Sequence, residues 1–310
     1  MEGTLRIGTR GSQLALWQAR WAQSAILSLH PEARAELVII KTKGDKIIDV
    51  PLAKVGGKGL FVKELEEALL DRRIDVAVHS MKDMPAEIPS GLTIGAIPQR
   101  ENPLDVLLTN AYPSLAKLPH GARVGTSSLR RSAQLQHLRP DLRIEPLRGN
   151  LDTRLKKLDA GGLDGIVLAA AGLIRLGLAD RITAFLDTQS MLPAVGQGAL
   201  CIECRAEDER VAPLMQALDH AQTRCVVTAE RVFLFRLEGG CQVPIAAHGT
   251  LEKGRLGLTG LVAELDGSRI IKAEVAGPSE DALSLGLQLA ENLLSQGADA
   301  ILERLQQDAG

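Results

Sequence analysis

The chain has very few aromatic residues: four Phe, two Trp and one Tyr, 2% of 310. Proteins that grip single-stranded nucleic acid stack bases on ring faces, so a platform of that kind is excluded and an aliphatic core is expected. Surplus charge is also lacking. The formal net charge is −2, which leaves no global field to draw the protein to nucleic acid or an acidic membrane. Four cysteines are too few to staple a chain this long, and reduced thiols are expected. No basic start followed by an apolar run opens the chain, and its longest strongly apolar stretch, residues 165–174, falls well short of the ~20 residues of a spanning helix. The expected location is the cytoplasm, with no membrane or nucleic-acid partner.

What is present has a globular composition, 45% hydrophobic and 24% charged, and the length allows two or three domains. Two stretches repeat one another. Leu5-Arg6-Ile7-Gly8-Thr9-Arg10-Gly11-Ser12 leads into an apolar-periodic run over 14–26, and Ala122-Arg123-Val124-Gly125-Thr126-Ser127-Ser128 into another over 129–138. Each predicts a strand, a Gly-Thr turn and a helix capped by a hydroxyl side chain. Residues 74–80 and 163–169 are short apolar runs behind an Asp and predict buried strands. The two halves are therefore expected to be similar α/β lobes. A cleft between them, at the carboxyl ends of the strands, is the expected site, because helix N-termini there offer free N–H groups to anions.

Pro-Gly punctuation over 193–198 closes the second lobe, and 199–203 is expected as a strand returning to the first. Beyond Thr223 the pattern changes to a helix over 224–237, strands over 245–250, 255–265 and 268–276, and a helix over 279–294. Lys253-Gly254 and Asp266-Gly267 mark hairpin turns, so this part predicts a small α+β domain with a three-stranded antiparallel sheet. The expected division is 1–99 with 196–218 as a discontinuous first lobe, 100–195 as the second, and 219–310 as the third domain.

Arginine outnumbers lysine 24 to 12, and Arg123, Arg130, Arg131, Arg139, Arg143, Arg148 and Arg154 crowd into one segment. Guanidinium groups grip carboxylate or phosphate bidentately and keep their charge when desolvated. Arg130 and Arg131 fall in the first turn of the helix that Ser127 or Ser128 would cap, where a cation opposes the helix dipole unless an anion lies nearby. Arg148 ends a strand just before another helix, with Arg154 about one turn inside it. These four are the candidate anion ligands, and Arg139 and Arg143 are expected on a solvated surface. A ligand with several carboxylates or phosphates would suit them.

No nucleotide signature accompanies the arginines. Gly56-Gly57-Lys58-Gly59 lacks the Ser/Thr that would hold magnesium, and its composition is compatible with a mobile lid or an ordinary surface loop. Cys201 and Cys204 have the spacing of a metal or redox pair. Three apart on a strand, however, they face opposite ways, and Cys225 and Cys241 form no second pair, so buried thiols and no metal are expected. His79 and Ser80 likewise face opposite ways, which sets aside a triad with Asp83. Asp83, in Lys82-Asp83-Met84-Pro85, lies at the ligand edge of the first lobe. Held ionised by neighbouring cations, it is suited to stabilising positive charge or handling a proton; the other reading is a loop carboxylate paired with Lys82. Cys241 follows two glycines and precedes Pro244, a loop that either presents a thiol to the cleft or buries an inert one.

Seven motifs, taken in order, resemble the porphobilinogen deaminase (hydroxymethylbilane synthase) family essentially end to end. They are Arg10-Gly11-Ser12, residues 51–59, His79-Ser80-Met81-Lys82-Asp83, residues 124–131, Leu147-Arg148-Gly149-Asn150, residues 192–198 and residues 239–244. The resemblance implies two lobes like those of periplasmic binding proteins and a third domain carrying a dipyrromethane cofactor in thioether linkage to Cys241. It implies a transferase of haem biosynthesis, working as a monomer. Four porphobilinogen molecules would be condensed with loss of ammonia, and water would release hydroxymethylbilane. Asp83 would contact pyrrole N–H groups and stabilise positive charge. Carboxylate binding would fall to Arg10, Ser12, Lys82, Ser128, Arg130, Arg131, Arg148, Arg154 and Arg175, with Thr126, Ser127 and Gln197 lining the cleft and Lys54 and Lys58 in the lid loop. The competing class is a non-enzymatic anion-binding module on the same lobes, against which the missing export signal and the Cys241 loop both count.

Overall fold

The computed structural model describes residues 3–46, 59, 61–237 and 243–309. Lys54, Lys58, Gly239, Gly240 and Cys241 lie outside the described residues.

Strand β1 (Thr4–Thr9) turns Leu5 and Ile7 into the core, pairs in parallel with β2 (Arg34–Ile39) and β3 (Val76–Ser80), and feeds helix α1 (Gln13–Leu29). Ser12 caps that helix: its backbone is extended and its hydroxyl accepts from the Ala15 N–H at 3.3 Å. Ala15, Ala19, Ala22 and Ile26 then recur at three- and four-residue spacing as the buried stripe. Helix α2 (Lys63–Leu70) and β4 (Leu92–Ala96) complete this part of the chain. The sheet closes with β10 (Leu200–Arg205), which inserts antiparallel between β3 and β4 to give the order β2-β1-β3-β10-β4. The expected returning strand is thus found.

The second sheet repeats that plan. β6 (Arg123–Gly125) pairs in parallel with β7 (Arg143–Glu145) and β8 (Gly165–Ala169), and β5 (Asp105–Leu108) inserts antiparallel between β8 and β9 (Ala184–Leu186). In each sheet the antiparallel strand is the one that has just crossed from the other. Helices α3 (Leu129–Leu138), α4 (Leu151–Asp159) and α5 (Ala170–Arg175) follow β6, β7 and β8. These are two similar α/β lobes.

After α6 (Ala212–Leu218) and α7 (Ala221–Arg236), strands β11 (Ile245–Glu252), β12 (Arg255–Ala263) and β13 (Ile270–Pro278) form the expected antiparallel meander. Lys253 and Gly254 both adopt positive φ at the first hairpin, as a two-residue primed turn requires. Phe233, Leu258, Leu289 and Leu293 build the core between this sheet, α7 and α8 (Ala282–Leu293). The chain does not stop near Leu294, where the expected last helix ends. Gly297, at φ 96°, takes up a kink, and α9 (Asp299–Ala309) continues beyond it.

One buried carboxyl joins all three parts. Glu230, on α7, accepts from both Arg100 Nη atoms (2.7 and 3.2 Å), from the Gly196 N–H at 2.7 Å and from the Gly249 N–H at 2.8 Å. Arg100 and Gly196 lie in the two crossings between the lobes, and Gly249 lies in β11.

Two expectations need correction. Arg139 is not a solvated cation: it lies half-buried, gripping both oxygens of Asp141 at 2.7 Å and donating to the Leu115 and Leu118 carbonyls. Arg143 is exposed as expected. Cys225 is only half-buried, its thiol donating to the Ser279 carbonyl at 3.3 Å. Cys201 and Cys204 are buried in separate clusters on opposite faces of β10. Desolvation pushes both thiols up, Cys204 to about 11. Among the described residues no helix is long and apolar enough to cross a membrane.

Candidate active site

The repeated turns place hydroxyls and cations at the carboxyl ends of β1 and β6. In the second lobe Ser128 caps α3, accepting from the Arg131 N–H at 3.4 Å. Ser127 is committed elsewhere: its hydroxyl both donates to the Leu147 carbonyl and accepts from the Leu147 N–H, each at 3.0 Å. Thr126 is buried and its hydroxyl accepts from the Ser128 N–H. In the first lobe Ser12 caps α1, and the Arg10 guanidinium lies over the Phe61 ring, 4.0 Å from its centre.

The anion that settles Arg130 and Arg131 in the first turn of α3 belongs to the chain itself. Asp105, the first residue of β5, is completely buried. Arg130 Nη1 lies 2.7 Å from its Oδ2, and Arg131 reaches its Oδ1 through Nη2 at 2.7 Å and Nε at 2.9 Å. Burial alone would raise the Asp105 carboxyl; the two guanidinium charges outweigh it and hold the group well below the usual carboxylate range. Two cations on one anion leave a net positive charge. Asp105 went unnoticed in the sequence, where it is one carboxylate among 38 acidic residues and its partners lie 25 and 26 positions away.

Gln197 carries this cluster across to the first lobe. It is buried, with Nε2 donating to Asp105 Oδ1 at 3.1 Å and to the Pro103 carbonyl at 2.7 Å, and with Oε1 accepting from Lys82 Nζ at 3.4 Å. Burial, and then the Arg131 charge, push Lys82 down to about 8. Arg154 on α4 donates to the Gly149 carbonyl at 2.9 Å. Burial, and then the Arg131 and Arg148 charges against the opposing Asp83, push it down to about 10, so these groups share one field. Arg148 is half-buried beside Gly149. Arg175, buried at the end of α5, is tied to the Gly198 carbonyl at 2.7 Å and lies 6.0 Å from the centre of the Trp17 ring.

Asp83 ends a single 3-10 turn, Met81–Asp83, directly after β3. Half-buried, it lines a hollow with Arg10, Ser12, Gln18, Phe61 and Ser80. His79 lines the same hollow but pairs with Glu203, so no triad forms. A carboxylate among several cations suits a ligand with acidic arms, the cations gripping the arms and the carboxylate stabilising positive charge that develops between them.

Gly198 fixes the crossing that presents Gln197. Its φ is +88°, and a Cβ there would stand 2.3 Å from the Glu101 carbonyl oxygen. Gly198→Ala is expected to cost about 1–3 kcal/mol through backbone strain and this clash, read as a lower midpoint in denaturant unfolding. An unchanged midpoint would show that the crossing can shift without penalty.

A family model described as "Porphobilinogen deaminase, dipyromethane cofactor binding domain" matches residues 5–213, and "Porphobilinogen deaminase, C-terminal domain" matches 224–295. The porphobilinogen deaminase of Syntrophotalea carbinolica is 59% identical over 301 residues, spanning 97% of this chain and 96% of its own. That of Pelobacter propionicus is 54% identical over 303 residues, spanning 98% and 97%. Among solved structures, a periplasmic substrate-binding protein of an ABC transporter from Coxiella burnetii aligns at 14% identity and a TM-score of 0.44, covering 69% of this chain and 92% of that one.

Proposed function

The chain belongs to the porphobilinogen deaminase family, and we propose that the cleft around Asp83 is where its reaction takes place. That reaction is the one of a hydroxymethylbilane synthase, a transferase of tetrapyrrole biosynthesis. Four porphobilinogen molecules are condensed head to tail with loss of ammonia, and water releases the product. The dipyrromethane cofactor supplies the free α-carbon on which the chain is built.

The observation that carries the assignment is the half-buried Asp83 in a hollow with Arg10 and Ser12, within the field of Lys82, Arg148 and Arg154. The residues also fit the cofactor. Burial and mutual repulsion depress Lys82 and Arg154, and both recover stabilisation when acetate and propionate arms enter beside them. Asp83 receives the pyrrole N–H groups and stabilises positive charge as ammonia departs. Arg10, Ser12, Lys82, Ser128, Arg148 and Arg154 hold ligand carboxylates. Arg130 and Arg131 contribute the net positive charge left over from Asp105, while Thr126, Ser127 and Gln197 shape the wall. Arg175 braces the Gly198 crossing and adds charge from behind. By resemblance Lys54 and Lys58 belong to the family's lid loop, which lies outside the described residues.

Cys241 anchors the cofactor through a thioether and takes no part in turnover. The intact mass of the purified protein is expected to exceed that of the sequence by two linked pyrroles, and Cys241→Ser to lack the excess. An active protein at the bare sequence mass would overturn the attachment. Ammonia release on mixing with porphobilinogen separates the enzyme from a binding module of the same architecture.

We divide the chain at 1–99 with 196–218, 100–195 and 219–310, supported by the insertion of β10 into the first sheet. We place the enzyme in the cytoplasm, working as a monomer on a small molecule, in keeping with its formal charge of −2.

A further inference from the structure

One residue lining the hollow beside Asp83, His79, belongs to a buried group of side chains that the steps above do not use. His79 on β3 and Glu203 on β10 project from adjacent antiparallel strands, both buried, with imidazole Nε2 3.1 Å from Glu203 Oε2. Glu66 on α2 is buried as well. One oxygen of each carboxyl, Glu203 Oε1 and Glu66 Oε1, has no hydrogen-bond partner. Buried polar groups are ordinarily satisfied, and here two carboxyl oxygens keep unused acceptor capacity.

The surroundings limit the charge this cluster can carry. Cys201, two residues before Glu203 on the same face of β10, packs with Val62, Met81 and Val227. An ionised carboxyl in such an enclosure is costly unless it is paired. Desolvation, followed by the Glu203 charge, pushes Glu66 up to about 7, while His79 acts in the opposite sense. The other titratable and charged groups whose fields reach the cluster are Glu67 on α2, Cys201 and Cys204 on β10, and Arg231 on α7. His79 is also among the residues that line the hollow with Asp83.

We propose that His79, Glu203 and Glu66 form the proton store of the condensation, taking up, through the hollow shared with Asp83, the proton that the attacked pyrrole gives up at each addition. The inference rests on the reading of that hollow as the reaction site. In each addition the aminomethyl C–N bond breaks and its electron pair leaves on ammonia. A C–C bond then forms between the free α-carbon of the growing chain and the methylene. The α C–H bond breaks last, its electron pair restoring the pyrrole and its proton passing by way of Asp83 to the cluster. That proton moves on to ammonia or solvent, and the cluster begins the next addition as before. His79, Glu203 and Glu66 act through Asp83 and are positioning residues in that sense.

The test uses the full-length, cofactor-loaded enzyme and porphobilinogen carrying deuterium at its free α-carbon. In the wild type the rate is expected to fall as pH drops through about 7, where Glu66 takes up its proton and the store fills. Glu203→Gln keeps the shape and the hydrogen bond. It is expected to slow hydroxymethylbilane formation about tenfold or more, with a primary isotope effect larger than that of the wild type. In Glu66→Gln the inflection near pH 7 should vanish. Thermal unfolding reports on folding, and if Glu203→Gln does not fold, Glu66→Gln is read by the same two criteria. Variants that retain both the wild-type pH profile and the wild-type isotope effect would overturn the store while leaving the reaction intact. Absence of ammonia release from the wild type would overturn the reaction itself.

Discussion

Asp105→Ala is expected to destabilise the protein by about 3–5 kcal/mol, enough to prevent much of it from accumulating folded. The substitution leaves Arg130 and Arg131, both buried, with no counter-ion in an interior that cannot hydrate them. It also deprives Gln197 of an acceptor at the crossing between the lobes. The loss would exceed that from removing an exposed pair such as Arg181 and Asp159, because surface ion pairs contribute about 0–1 kcal/mol. Denaturant unfolding of the two variants side by side gives the comparison. Equal midpoints would mean that water or another carboxyl reaches the two arginines.

Asp83→Ala should have the opposite profile: a folded protein that scarcely condenses substrate. Among the described residues the Asp83 carboxylate makes no hydrogen bond or ion pair; its removal takes a stabilising charge from Lys82 and Arg154 but strands no direct partner, so the unfolding midpoint should fall far less than in Asp105→Ala. The rate of hydroxymethylbilane formation should fall by about 10²–10⁴-fold, the range expected when a group handling charge or a proton at the reacting centre is lost. Asp83→Asn, which keeps the volume, should fall with it. Normal turnover in either variant would assign charge and proton handling to another residue.

The repeated Gly-Thr turn was legible because its signals are local. A glycine, a hydroxyl cap and a 3.6-residue stripe lie within a few positions of one another, and they reappear as the β1–α1 and β6–α3 units of two sheets with the same order. The first-turn arginines were legible as a violation, since two cations at a helix N-terminus imply an anion. Which anion was not. Pairing across 25 positions is decided by the insertion of β5 beside β8, a tertiary fact with no local trace. Arg139 misled for the same reason, its carbonyl partners lying more than 20 positions away. The last helix was missed because Gly297 has the composition of a stop, whereas here it absorbs a bend between two helical stretches. The pairing of His79 with Glu203 escaped notice because the two come from different strands and lie 124 positions apart.

Glu230 gives the molecule a mechanical property that neither lobe would have alone. Its carboxyl is gripped by both crossings and by the third sheet at once, so any rocking of one lobe against the other must turn about it. The helix carrying it ends at Arg236, five positions before Cys241 in the sequence. Hinge and clamp are thus one group, and loosening its hold at either crossing would loosen the seat of the third sheet as well.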